Sequence, residues 1–263
     1  MNTIALLTDF GSRDNFVGTI KGVILNNNPR AILIDISHNI FSYDIKEAAF
    51  ILLSCFSYFP KRTVFLAAVD PGVGSKQKAI AIKTRNYYFV GPDNGILSLA
   101  AGRDGVEKIV NLKNKKYFLK EISSTFRARD IFAPCAAYLS MGLNMDKLGD
   151  NLKKIEKTDF GFSKITKNEI QAEIIYADKF GNLFTNITCR QFASFCKQNK
   201  NFSAVLNKKI IDKIYSFYNE AKSNEPFFIE GSSQFLEVAL KNKSAKDFFS
   251  IKKINQKLVI KNK

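Results

Sequence analysis

Histidine is almost absent from this chain: its 263 residues hold one, His38. Cysteine is scarce as well. There are four, and the closest two, Cys189 and Cys196, stand seven apart. A structural or catalytic zinc needs several such ligands at short spacing, so no metal centre is expected, and the thiols read as free and mostly buried. No apolar run reaches the roughly 18 residues that a membrane-spanning helix requires, so no membrane partner is expected. The opening Met-Asn-Thr-Ile-Ala-Leu-Leu-Thr-Asp has no basic region before its apolar residues. It reads as a buried strand rather than a leader, and a cytoplasmic location is expected. Acids are few beside bases, 24 against 40, for a net charge of +16. That excess raises nucleic acid as a partner. The lysines are spread along the chain, however, and runs such as Lys113-Asn-Lys-Lys116 lack stacking aromatics. A solvated lysine-rich surface is expected instead, with no nucleic-acid partner.

What the chain has is 46% hydrophobic residues, enough for one large core or two modest ones. The first 150 residues alternate two kinds of segment. Apolar runs at Thr3–Leu7, Ala31–Ile36 and Thr63–Val69 read as strands. Asn15–Asn26 has helical spacing, with Phe16, Ile20, Val23 and Ile24 on one face. Asp44–Phe59 reads as a helix that Asp44 can cap, and Asp130–Met141 as another. Ala79–Lys83 and Tyr87–Val90 read as a hairpin. This rhythm predicts an α/β N-terminal domain at 1–160, a mostly parallel sheet covered by helices. The pattern then changes. Glu169–Tyr176, Leu183–Ile187 and Gln234–Ala239 read as short strands, while Arg190–Lys197 and Lys208–Tyr218 fit helix or loop. A smaller β-rich domain is predicted at 168–263, after a polar linker within Asn151–Lys167.

Four short runs stand out: Thr8-Asp-Phe-Gly11, Asp70-Pro-Gly-Val-Gly74, Gly91-Pro-Asp-Asn-Gly95 and Phe180-Gly-Asn-Leu-Phe-Thr-Asn186. Ligands of α/β sheets bind beyond the carboxyl ends of the strands. Asp9 and Asp14 flank a turn at such a place. Their carboxylates can accept hydrogen bonds from a ribose diol, or can cap the turn and the following helix. Gly11-Ser-Arg-Asp-Asn is no GxGxxG fingerprint, so ordinary NAD binding is not supported. Asp70 ends an apolar run, where it can face a substrate or bond turn N–H groups. Gly72 and Gly74 allow a close backbone approach. The Pro92-Asp-Asn-Gly95 turn is structural by itself, one hairpin after Asp70.

Together with Asp35-Ile-Ser-His38, Arg129-Asp-Ile-Phe-Ala-Pro134, Asp178-Lys-Phe-Gly-Asn182, Thr185-Asn-Ile187 and Gly231-Ser-Ser-Gln-Phe-Leu-Glu237, these runs resemble the S-adenosylmethionine (SAM) hydroxide adenosyltransferase family, relatives of the fluorinase and chlorinase. The resemblance spans nearly the whole chain. It implies a barrel-like β-rich C-terminal domain and a homotrimer whose sites lie between neighbouring subunits. It also implies hydrolysis of the small-molecule substrate SAM to adenosine and methionine. SAM is then substrate, and no cofactor is implied. By the same resemblance Asp9 and Asp14 hold the ribose end. Asn182 contacts adenine, with Tyr43 and Phe184 over its faces. Asp178, Ser232, Ser233 and Glu237 serve the methionine end or close the pocket.

The chain departs from its family at the water site. Hydrolytic members resemble one another in an Asp, Arg, His set. Asp70 matches the Asp, but Gln77 stands where the Arg is expected, and Thr125-Phe-Arg-Ala-Arg-Asp130 puts Arg127 in place of the His. Water, with a pKa of about 15.7, needs a base or nearby positive charge. A guanidinium is no base, but it can restore the charge missing at position 77, with Lys76 or Lys78 as further sources. Unneutralised, Arg127 would repel a sulfonium by about 4 kcal/mol at 4 Å. It can instead pair with Asp70, bind an anion or point away. His38 matches another motif and is expected to hold its loop. Three readings follow: a SAM hydrolase with an altered catalytic set of Asp70, Gln77 and Arg127; an adenosine- or SAM-binding sensor or sink; and halide transfer, against which Asp70 argues.

Overall fold

The computed structural model describes residues 2–161, 163–198 and 201–263. The chain divides into two compact units, Met1–Thr158 and Asp159–Lys263.

The first unit is a seven-stranded sheet of order β2-β1-β3-β5-β4-β6-β7. Its strands are β1 (Thr3–Thr8), β2 (Ile32–Ser37), β3 (Val64–Ala68), β4 (Ala79–Thr84), β5 (Tyr88–Pro92), β6 (Val106–Leu112) and β7 (Gly149–Asn151). The run β2-β1-β3-β5 is parallel, and β4, β6 and β7 add antiparallel pairs. β1 and β3 are buried at every position, as strands covered on both faces must be. Helix α1 (Phe16–Asn27) and helix α4 (Ala133–Ser140) pack on one face. There Ile20 and Ile24 meet Ile4, Leu6, Val64 and Leu66. Helices α2 (Ile45–Cys55) and α3 (Ser98–Asp104) pack on each other, and α2 also lies against β1. Asp44 caps α2, accepting from the Glu47 N–H at 2.9 Å.

The order β2-β1-β3 decides where a ligand can sit. The chain leaves β1 for one neighbour through α1 and returns to the other through α2. Between β1 and β3 the strand ends therefore open a crevice, the topological switch point of a wound sheet. Thr8 is paired with Ala68 there, so Asp9 and Asp70 emerge side by side.

The second unit is a curled nine-stranded sheet, with ends at β12 and β13. Its strands are β8 (Lys164–Ile165), β9 (Glu169–Ala177), β10 (Leu183–Thr188), β11 (Phe202–Leu206), β12 (Lys209–Ile211), β13 (Ile214–Tyr215), β14 (Phe227–Glu230), β15 (Phe235–Ala239) and β16 (Lys257–Asn262). Helices α5 (Cys189–Gln198) and α6 (Ala245–Phe248) complete it. Phe192, Phe228, Leu236, Val238 and Phe249 form its core.

Several segments differ from their sequence reading. Lys208–Tyr218, read as helix or loop, gives β12 and β13. Asn207 and Lys208 both take positive φ, 46° and 65°, in a two-residue hairpin turn that reverses β11 into β12. The polar stretch Asn151–Lys167 closes β7 at one end and forms β8 near the other. The expected helix at Asp130–Met141 begins with a π turn over Ala128–Phe132. The one at Asp44–Phe59 ends in a 3-10 turn over Phe56–Tyr58.

Candidate active site

Beyond β1, the loop carrying Asp9 is fixed by its neighbours. Gly11 at φ 66° donates its N–H to the His38 carbonyl at 2.7 Å. The His38 Nδ1 lies 2.8 Å from the Thr8 hydroxyl, and its Nε2 lies 3.0 Å from an Asp35 oxygen. Asp9 Oδ2 accepts the Tyr43 N–H at 2.9 Å, which ties the β1 end to the loop before α2. Tyr43 stands there at φ 69°, largely exposed. Asp14 is exposed and caps nothing; the N-cap of α1 is Asn15.

Beyond β3, Asp70 is held from two directions. Gln77 Nε2 donates to Oδ1 at 3.0 Å. Arg127 donates to Oδ2 from Nη2 at 2.7 Å and from Nε at 3.2 Å, and its Nη1 donates to the Gln77 carbonyl at 2.6 Å. The two charged side chains are 11% and 13% exposed, so the pair is largely shielded from solvent. Gly72 makes room for the Gln77 arm: a Cβ there would stand 2.3 Å from Gln77 Oε1. Of the alternatives for Arg127, pairing with Asp70 is the one found. The Lys76 and Lys78 side chains are exposed, and the side-chain donors to Asp70 are Gln77 and Arg127.

Asp130 anchors the loop before Arg127 through Ser123. The Asp130 carboxylate accepts the Ser123 N–H and hydroxyl, both at 2.8 Å, and pairs with Arg129 at 2.6 Å. Burial works to raise the pKa of this carboxyl, but Arg129 and Ser123 outweigh it and hold it below the ordinary range. Arg129 also covers the Phe126 ring at 5.1 Å. Phe126 meets Phe10 and Phe16 edge-on, with centroids 5.4–5.8 Å apart. This triad draws the β1 loop, the start of α1 and the Arg127 loop together. Around it lies a cavity of about 450 Å³ lined by Asp9, Asp14, Tyr43, Asp70 and Arg127 among others. Gln77 is not in its wall but supports Asp70 from behind.

The second unit treats its candidate residues differently. Asp178 accepts the Phe180 and Asn182 N–H groups and the Asn182 side-chain amide, at 2.8–2.9 Å. The two polar residues thus spend much of their bonding on one turn. Both line a cavity of about 690 Å³ with Phe180, Tyr218 and Ser244. Phe184, Ser232, Ser233 and Glu237 do not line it. Phe184 sits on Tyr176 with centroids 5.4 Å apart. Ser232 and Ser233 lie in the turn between β14 and β15, and the Ser233 hydroxyl is buried without a hydrogen bond. Glu237 is buried on β15, and Tyr218 donates to it at 3.3 Å. Burial, aided by Asp178, pushes its carboxyl up to about 7 despite that hydrogen bond. Tyr218 has no motif around it and escapes sequence reading.

Comparison with known proteins supplies the family. Residues 4–149 match the SAM hydroxide adenosyltransferase N-terminal domain, and residues 172–256 match the C-terminal domain. The chain belongs to this family. A relative from Methanocaldococcus jannaschii named (R)-S-adenosyl-L-methionine hydrolase is 35% identical, over 91% of this chain and 88% of its own length. A Thermus thermophilus protein of the same name is 29% identical over 96% and 97%. A fluorinase from an Actinoplanes strain is 25% identical over 70% and 71%. A crystal structure of an uncharacterized conserved protein from Thermotoga maritima superposes with a TM-score of 0.90 at 34% identity, over 98% of this chain and 99% of that one.

At the first cavity the guanidinium on Asp70 comes from position 127, and position 77 supplies an amide. Among the described residues no group of His, Cys, Asp and Glu is arranged to hold a metal ion. No helix among them is long and apolar enough to cross a membrane. All four cysteines are free, and burial pushes the Cys55 thiol up to about 11.

Proposed function

We propose that the protein hydrolyses SAM to adenosine and L-methionine at the first cavity. The observation that carries this reading is the meeting, at the β1/β3 switch point, of Asp9 and Asp14 with the Asp70–Arg127 pair. A sulfonium is a ready leaving group, so the protein need only orient it, admit one water and exclude the rest. Water attacks C5′ in line with sulfur. The C5′–O bond forms as C5′–S breaks, the bonding pair goes to sulfur, and neutral methionine departs. Asp70 takes the water's proton and passes it to solvent, so that SAM and water give adenosine, methionine and a proton. Arg127 holds Asp70 and supports the developing hydroxide. The repulsion that a free guanidinium would exert on the sulfonium is offset by the carboxylate 2.7 Å from it. Asp9 has Oδ1 to offer a ribose hydroxyl, since Oδ2 takes the Tyr43 N–H. No metal or cofactor enters this scheme.

The second unit supplies the rest of the site in this proposal. Asn182 and Phe184 take adenine with Tyr43, and Asp178, Ser232, Ser233 and Glu237 take or close over the methionine end. In the proposed homotrimer these come from a neighbouring subunit, which sedimentation at several concentrations tests. One observation favours a second reading, a SAM- or adenosine-binding protein without turnover. Both Asp70 oxygens are already engaged, by Gln77 and Arg127, which leaves fewer lone pairs open to a water.

The test is incubation of pure protein with each sulfonium epimer of SAM in ¹⁸O-water. The names of the relatives extend the proposal to the (R) epimer. Adenosine and methionine should appear in equal amounts, with the label in the adenosine 5′-hydroxyl. Asp70→Asn should lower the rate by about 10²- to 10⁴-fold. Adenosine binding with no product would favour the second reading, and chloride-dependent chloroadenosine would overturn both.

A further inference from the structure

We infer that the Pro92–Gly95 turn is a brace that sets the Asp70 carboxylate, with Asn94 as a positioning residue. This rests on the hydrolase reading above. β3 and β5 are neighbours in the parallel sheet, and their ladder ends at Leu66 and Val90, short of the site. Past that end, Asn94 Nδ2 donates to the Val69 carbonyl at 2.9 Å. Val69 is the residue before Asp70. The side-chain amide thus supplies the rung that the backbone ladder lacks. Its orientation is set by the Ile96 N–H, which donates to Asn94 Oδ1 at 3.2 Å.

The same turn grips the far end of the loop. The Asp93 N–H donates to the Lys78 carbonyl at 2.9 Å. Lys78 follows Gln77, whose amide and carbonyl meet Asp70 and Arg127. Adjacent residues of one turn therefore hold both ends of the segment 70–77. Between those ends the loop is largely exposed, and its bonds are short-range ones such as Val73 N–H to the Asp70 carbonyl and Ser75 N–H to the Gly72 carbonyl. Such a loop takes its orientation from its anchors.

The turn is itself fixed. Buried Asp93 accepts the Glu156 N–H at 2.8 Å. Gly91 lies so close to β3 that a Cβ would stand 2.4 Å from the Ala67 carbonyl oxygen. Asparagine is required at 94 because the position needs a donor toward Val69 and an acceptor toward Ile96. Aspartate keeps the second and replaces the first with a charge facing a carbonyl.

The experiment compares Asn94→Ala and Asn94→Asp with the parent chain. It reads kcat and KM for SAM, adenosine affinity, and hydrogen exchange across residues 65–78. In Asn94→Ala, kcat should fall about 10- to 100-fold, as small misplacements of a reacting group do. KM and adenosine affinity should stay within about two-fold, and exchange in 70–77 should quicken. Asn94→Asp should lose more. An unchanged kcat in folded Asn94→Ala, an equal loss of adenosine affinity, or unaltered exchange would overturn the brace. If the parent chain shows no turnover, the hydrolase reading fails while exchange still judges the brace. If Asn94→Ala does not fold, Asn94→Ser, a donor on a shorter arm, is read in the same way.

Discussion

Two acids of the first unit and one of the second sit in opposite surroundings. In the first, Asp70 and Asp130 each have an arginine and further donors, all within hydrogen-bond distance. In the second, Glu237 is buried with one long hydrogen bond from Tyr218 and another acid, Asp178, near enough to disfavour its charge. Arg129 and Ser123 hold the Asp130 carboxyl below the ordinary range against its burial. An under-satisfied carboxyl keeps its proton to higher pH and is ready to change state. The first arrangement suits a site that must hold geometry.

The strongest way to break this contrast is to remove the cation from the first unit. Arg127→Leu strips Asp70 of two of its three side-chain donors and should lower hydrolysis by about 10²- to 10³-fold. Gln77 already reaches the other Asp70 oxygen, so Gln77→Arg added to Arg127→Leu should restore part of the rate. Gln77→Arg with Arg127→His should exceed the parent rate and acquire a histidine titration near pH 6.5, which the cavity lining, having no histidine, cannot supply. No recovery in either double variant would mean that the cation must come from position 127.

The origin of that cation also marks where sequence reading stops. Asp9 and Asp70 were legible because each ends an apolar strand and starts a glycine turn, and the β-α rhythm puts such ends on one edge of a sheet. Which of its alternatives Arg127 takes was not, because a contact 57 residues away is set by how the π turn and the loop before it fold. In the second unit Asp178 and Asn182 were legible as a motif, but not that each is the other's partner in a turn. β6, β11, β14 and β16 went unread because tertiary pairing, rather than a clean alternation, makes them strands.

Glu237→Gln sharpens the comparison from the other side, through stability. The Glu237 carboxyl titrates at about 7 in the folded chain against an ordinary 4.5. Below 4.5 both states hold the proton, and Glu237 costs nothing. Between 4.5 and about 7 the unfolded chain releases a proton that the folded chain keeps, so stability falls as pH rises, and the loss is complete above about 7. Glu237→Gln has no such slope. It should match the parent near pH 4.5 and exceed it at pH 8 by up to about 3 kcal/mol, read from denaturant midpoints across that range. A parent curve parallel to the variant's would show that Glu237 is already ionised in the folded chain.

The smallest effect is expected at His38, which braces Asp9 as Asn94 braces Asp70. His38 reaches Asp9 only indirectly: its ring meets Thr8, one residue before Asp9, while its carbonyl takes the Gly11 N–H two residues after. His38→Gln keeps the carbonyl and a polar arm but loses the fixed span between Thr8 and Asp35. Losing one partly exposed hydrogen bond costs about 1 kcal/mol, so adenosine affinity by calorimetry should weaken about three- to six-fold. The rate at saturating SAM should stay near that of the parent, because Asp70 hangs from β3 and from the Asn94 turn. A fall in that rate as large as the one expected for Asn94→Ala would mean that the two acids share a single support, and that the crevice between β1 and β3 is set as one piece.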